Sequence, residues 1–106
     1  MKAITTEPVA TTLDAQTAAH MAELFNALSD PNRVRIIALL MSGEMNVGDI
    51  AHEVGMSESA VSHQLRGLRQ MRLVRAQKQG REVFYSLDDE HVADLFQRGL
   101  DHVKHS

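Results

Sequence analysis

The stretch Val47-Gly48-Asp49-Ile50-Ala51-His52-Glu53-Val54-Gly55-Met56-Ser57-Glu58-Ser59-Ala60-Val61-Ser62-His63-Gln64-Leu65-Arg66 decides the fold. It reads as a short helix over 47–54, a tight turn at Gly55-Met56, and a second helix over 57–71. Asn46 and Ser57 stand where the first free N–H groups of each helix need an acceptor. Gly55 supplies the left-handed backbone on which helices commonly end. Val61, Leu65, Leu68 and Met71 give the second helix one apolar stripe. Two helices joined by such a turn form a helix-turn-helix, whose second helix enters the major groove of DNA and meets base edges near its N-terminus. Here the residues so placed are Ser57, Ser59, Ala60, Ser62, His63 and Gln64, with Arg66 just beyond. They are small or hydrogen-bonding, which permits close approach and reading of donors and acceptors. Ser57 and the helix N-terminus also suit a phosphate.

Moving outward, 73–78 and 81–87 read as two strands rich in Val, Phe and Tyr, with the turn at Gln79-Gly80. Val74, Val83 and Tyr85 are expected to pack on the core, while Lys78 and Arg81 at the tip offer positive charge to phosphate or the minor groove. A merely solvated helix surface would not call for this basic hairpin. Upstream, Ala18, Met21, Leu24, Phe25 and Leu28 line one face of a helix beginning near Asp14. Ser29-Asp30-Pro31 stops it and starts another, since aspartate caps well and proline suits the first helical position. That second helix carries Val34, Ile37, Ala38, Leu40 and Met41 and ends around Gly43. Downstream, Asp88 or Asp89 caps a last helix to about Val103, with Val92, Leu95, Phe96, Gly99 and Val103 on its apolar face. The expected fold is mainly α with one β-hairpin, a winged helix-turn-helix over 14–106 behind a Thr-rich tail over 1–13. Its apolar stripes exceed what one small domain can cover, which predicts a homodimer.

Composition agrees. A chain of 106 residues makes one small domain. No apolar run is long enough to cross a membrane and 1–13 lacks the pattern of a signal peptide, so the expected location is cytoplasmic. The formal net charge of -3 hides a segregation. Arg66, Arg69, Arg72, Arg75, Lys78 and Arg81 are six of the eleven basic residues, and no acid lies between Ser59 and Arg81. The acids gather elsewhere, notably at Asp88, Asp89, Glu90, Asp94 and Asp101. A basic stretch within an acidic chain is the electrostatic footprint of a DNA binder.

Three runs resemble the ArsR/SmtB family of metal-responsive repressors. They are Leu28-Ser29-Asp30-Pro31-Asn32-Arg33-Val34-Arg35-Ile36, Ser57-Glu58-Ser59-Ala60-Val61-Ser62-His63-Gln64-Leu65-Arg66, and Lys78-Gln79-Gly80-Arg81-Glu82-Val83-Phe84-Tyr85. The resemblance covers about residues 20–105 in order. It implies a dimeric winged-helix repressor that holds its operator DNA when metal-free.

Of six histidines, His20, His52 and His63 are scattered and read as surface or DNA-facing residues. His91, His102 and His105 share the last helix with Asp89. His91 and His102 lie on one face but about 16 Å apart along the axis. Ligands of one tetrahedral ion bond at about 2.0–2.1 Å, so a single helix cannot close the site. Two antiparallel helices of a C2 dimer can, when Asp89 and His91 of one meet His102 and His105 of the other. These four residues match the C-terminal-helix site of the family's zinc-sensing branch. The family's other, Cys-based site would fall at Glu44-Met45-Asn46-Val47-Gly48, which has no thiolate. The absence of cysteine disfavours arsenic, lead and cadmium sensing there, since soft ions want sulfur. Three imidazoles and a carboxylate suit Zn(II), or Co(II) as its stand-in. Ni(II) usually takes more ligands and would need His20 or the N-terminal amine. When a histidine binds metal through one ring nitrogen, the other donates to a second partner. The resemblance implies that His102 donates to the backbone carbonyl of Arg72. A zinc enzyme is disfavoured because four protein ligands leave no open position and no catalytic motif is present. A metal store would not need the helix-turn-helix. A Ni(II)/Co(II)-responsive repressor, or one answering a non-metal signal, is the remaining alternative.

Overall fold

A computed structural model describes residues 12–105, and the expected tail over 1–13 lies outside them except for Thr12 and Leu13, both exposed. The elements run α1 (Ala15–Ala27), α2 (Pro31–Leu40), β1 (Met45–Asn46), α3 (Val47–Val54), α4 (Glu58–Gln70), β2 (Val74–Gln79), β3 (Glu82–Leu87) and α5 (Glu90–Lys104). Each helix starts on a side chain that accepts the N–H three residues on. Asp14 takes Thr17, Asp30 takes Arg33, Asn46 takes Asp49, Ser57 takes Ala60 and Asp89 takes Val92, at 2.8–3.1 Å. The caps at Asn46 and Ser57 contribute about 1 kcal/mol each. Of the two acids at the start of α5, Asp89 is the cap. Asp88 instead donates its N–H to the Leu73 carbonyl at 3.0 Å, tying the start of α5 to the turn between α4 and β2.

The core is built almost wholly by the middle of the chain. Ile36, Ile37 and Leu40 of α2 meet Ile50, Ala51 and Val54 of α3, Val61, Leu65 and Leu68 of α4, and Leu73 and Val74 leading into β2. Ala27 is the sole fully buried residue of α1, and α5 has none. Both terminal helices keep large apolar side chains exposed, among them Met21, Phe25, Leu95 and Val103. Phe25, Leu28, Leu95, Phe96 and Val103 line one apolar groove between the two helices.

The sheet has order β1-β3-β2 and is antiparallel throughout. Two details depart from the sequence reading. Met45 and Asn46 pair with Tyr85 and Phe84 as a third strand, too short to show alternation in the sequence. The hairpin turn is Gly80-Arg81 rather than Gln79-Gly80, because Gln79 pairs with Glu82. Gly80 takes φ +65° at the first central position of a two-residue loop, where positive φ favours glycine. The alternation is otherwise as read, with Val74 buried and Tyr85 packed on the core. Val83 is the exception, being exposed. It pairs with Lys78 where the hairpin has already passed beyond the core.

Candidate nucleic-acid interface and metal donors

Gly55 closes α3 in the left-handed conformation at φ +71°, and its N–H and that of Met56 both donate to the Ala51 carbonyl. This sharp end aims the N-terminus of α4 away from the core. Ser57, Ser59, His63 and Arg66 are exposed, and Ser62 is half-buried. Gln64 differs. Its Oε1 accepts from Arg33 Nε of α2 at 2.6 Å, a contact between residues 31 positions apart that no local pattern announces.

The wing is held from both sides. Gln79 Nε2 donates to Glu44 at 3.0 Å, and Asn46 Nδ2 donates to Glu82 at 2.6 Å. These tethers were not anticipated, because Glu44 and Asn46 lie more than thirty residues from their partners. They leave Lys78 and Arg81 exposed at the tip. Among the described residues the ion pair found is His91 with Asp89, so the basic residues from Arg66 to Arg81 are not neutralised by carboxylate contacts. A surface with unpaired cations on one helix and one hairpin attracts a polyanion.

At the end of α4, Arg72 takes φ +60°. Arg72 N–H donates to Arg69 and Leu73 N–H to Leu68, which turns the chain sharply from α4 into β2. This is the backbone whose carbonyl the family resemblance implies as the partner of His102.

The four candidate donor residues of α5 fall at its two ends. Asp89 is the cap, with extended backbone at φ −157°. The Val92 N–H, and secondarily nearby His91, hold its carboxyl below the usual carboxylate range. His91 Nδ1 lies 3.6 Å from Asp89 Oδ2. At the other end His105 Nδ1 lies 2.7 Å from the Asp101 carbonyl. A carbonyl only accepts, so that contact places the hydrogen on Nδ1 and leaves Nε2 as the lone-pair donor. All four residues are exposed. Among the described residues no three metal-binding side chains converge within one chain. No helix of the described residues is long and apolar enough to cross a membrane.

Residues 30–76 match the model of the bacterial regulatory protein, arsR family. A transcriptional repressor SmtB homolog of Synechocystis sp. is 49% identical over 89 residues, 84% of this chain and 67% of that protein. The HTH-type transcriptional regulator NmtR of Mycobacterium tuberculosis is 45% identical over 93 residues, 88% of this chain and 78% of its own length. A homodimeric winged helix-turn-helix DNA-binding domain from Mycobacterium bovis superposes with a TM-score of 0.78 at 29% identity, covering 97% of this chain and 91% of that one. The chain belongs to the ArsR/SmtB family of transcriptional regulators. It is a winged helix-turn-helix DNA-binding protein, and its family is one of regulators rather than enzymes.

Proposed function

We propose that the chain is a Zn(II)-responsive repressor that binds operator DNA as a homodimer and lets go when metal binds between the two α5 helices. The observation that carries this reading is the division of Asp89 and His91 from His102 and His105 by the length of one exposed helix, beside an apolar groove. An antiparallel second copy of α5 covers the groove and joins the two halves of the donor set. The donors are imidazole nitrogens and one carboxylate oxygen, which fit Zn(II), with Co(II) as a spectroscopic substitute. Bound there, the ion supplies charge and a fixed bridge between subunits. His105 already has its Nδ1 engaged, which orients Nε2 outward for a metal.

On the DNA side, Ser57, Ser59, Ser62, His63 and Gln64 take the base-facing positions. Arg66, Lys78 and Arg81 take the phosphate positions. The link between the sites is His102, whose second ring nitrogen donates to the Arg72 carbonyl. The Asp88–Leu73 hydrogen bond supports such a coupling, because it already joins the start of α5 to the residue after Arg72. Coupling of this kind amounts to about 1–3 kcal/mol.

The test is operator binding at fixed salt with and without Zn(II), Co(II) and Ni(II). Zn(II) is expected to weaken binding about 5- to 150-fold. Heterodimers of Asp89→Ala and His102→Ala chains should keep one tight site, since a shared site gathers both defects on one side. Finding no tight site in that heterodimer overturns the intersubunit assignment. Operator binding indifferent to every metal overturns metal sensing while leaving the DNA-binding assignment intact.

A further inference from the structure

Arg33 occupies a position between three elements. It is half-buried on α2. Its Nη1 donates to the Ala27 carbonyl at the end of α1 at 3.3 Å. Its Nε donates to Gln64 Oε1 on α4 at 2.6 Å. The guanidinium also lies against Gly67, one turn beyond Gln64, where an added Cβ would come within 3.4 Å of Nη2. No carboxylate of the described residues forms an ion pair with Arg33, so its charge falls on neutral acceptors, and such charge-assisted bonds are the strong ones.

The chemistry of this contact fixes the orientation of the Gln64 amide. A guanidinium has no acceptor, so the Gln64 atom facing it must be the oxygen. A free glutamine on a recognition helix reads adenine with both ends of its amide, accepting from N6 and donating to N7. Here the accepting end is held toward Arg33 on α2, which turns it away from a bidentate pose on adenine.

We propose that Arg33 is a positioning residue for operator reading, which turns the Gln64 acceptor toward the protein and presents the N–H groups of Gln64 to DNA. The base it meets is then one that presents acceptors in the major groove, guanine through O6 and N7 or thymine through O4, rather than adenine read bidentately. This rests on the reading that Gln64 faces the operator.

The test is selection of bound sites from a randomised operator library, using full-length wild type, Gln64→Ala, Gln64→Glu and Arg33→Met. Thermal unfolding and sedimentation check each variant. At one position in each half-site the wild type should favour guanine or thymine. Gln64→Glu keeps the contact with Arg33 as an ion pair but has no donor, so that preference should disappear. Arg33→Met frees the amide and should move the position toward adenine, by about 5- to 100-fold in relative affinity. Should Arg33→Met not fold, loss of the preference in Gln64→Glu still decides the matter. If Gln64→Ala selects the same sites as wild type, Gln64 does not read DNA and both readings fall. If Gln64→Ala changes the profile but Gln64→Glu or a folded Arg33→Met keeps the wild-type preference, the reading of Gln64 stands and the role of Arg33 is overturned.

Discussion

The middle of the molecule and its two ends are stabilised in different ways. From α2 through β2 the chain supplies eleven of the twelve fully buried apolar residues, and these residues cover one another. α1 and α5 contribute only Ala27, yet they carry Met21, Phe25, Leu95 and Val103 exposed. The half that meets DNA is therefore complete within one chain, whereas the terminal helices present an apolar face that one chain does not cover. The self-covered half forms the reading head, and the terminal helices leave apolar surface outside it.

The largest effects should expose this division. Leu65→Ala removes a fully buried side chain from the base of α4. It should cost about 2–5 kcal/mol of stability in chemical denaturation. Leu95→Glu places a charge on the exposed groove of α5 and should leave the core intact. Its effect should appear as dissociation, with the dimer constant weakened by about 30-fold or more in sedimentation equilibrium. If Leu95→Glu unfolded the chain as severely as Leu65→Ala, the ends would belong to the same core and the comparison would fail.

Within the reading head, helix and wing should separate in the same manner. His63 is exposed on α4, and its replacement by Ala should relax preference at one base position by about 1–3 kcal/mol. Arg81 at the wing tip should act through phosphate, so Arg81→Ala should weaken binding to all sequences and lower the salt slope by about one. Titrations at several salt concentrations on matched and mismatched operators measure both quantities. A base-specific loss for Arg81 would move sequence reading to the wing.

What the sequence disclosed, and what it hid, follows the range of the interactions involved. The caps at Asp30, Asn46 and Ser57 and the turn at Gly55 were legible because each is decided within three or four residues. The apolar stripes were legible because they repeat. Strand β1 was not, since two residues show no period and its pairing with Tyr85 and Phe84 is a contact across the fold. The hairpin was read one residue out of register because either neighbour of Gly80 could share the loop with it. The Arg33–Gln64 contact and the wing tethers through Glu44 and Glu82 were beyond a reading of local pattern. The candidate donors Asp89, His91, His102 and His105 stood out by type and spacing, and they lie at the two ends of α5.

The two helix ends that shape the reading head offer a smaller and more exacting comparison. Gly55 and Arg72 both adopt positive φ, at +71° and +60°. Only one is glycine. Gly55→Ala meets no atom within 4 Å, so its cost is conformational alone, and about 1 kcal/mol of destabilisation is expected. Arg72→Gly should do the opposite. It relieves about 1–2 kcal/mol of left-handed strain and returns part of that as unfolded-state entropy, for a net gain of about 0.5–1 kcal/mol. Because the proposed His102 link uses only the Arg72 carbonyl, Arg72→Gly should also keep the response to metal. Loss of that response in a stabilised variant would show that the arginine side chain takes part.

The smallest effect concerns the caps, and it compares the two terminal helices with the helix-turn-helix. α3 and α4 begin on the uncharged side chains of Asn46 and Ser57, whereas α1 and α5 begin on the carboxylates of Asp14 and Asp89. Hydrogen bonds from Thr17 lower the Asp14 carboxyl, and the Val92 N–H lowers Asp89, both from 3.8. A carboxyl lowered on folding stabilises the fold in full above its unfolded value. That contribution fades as pH falls through the folded value, where the cap takes up a proton and accepts less well. Both groups lie at the surface, so the effect is a loosening of helix ends rather than unfolding. In metal-free protein, the amide resonances of Thr17 and Val92 should titrate with midpoints below 3.8, while that of Ala60, held by the Ser57 hydroxyl, should not follow them. Midpoints at or above 3.8 for Thr17 and Val92 would mean that these carboxylates do not cap their helices in solution. The contrast between the charged caps of the terminal helices and the neutral caps of the helix-turn-helix would then carry no consequence for the fold.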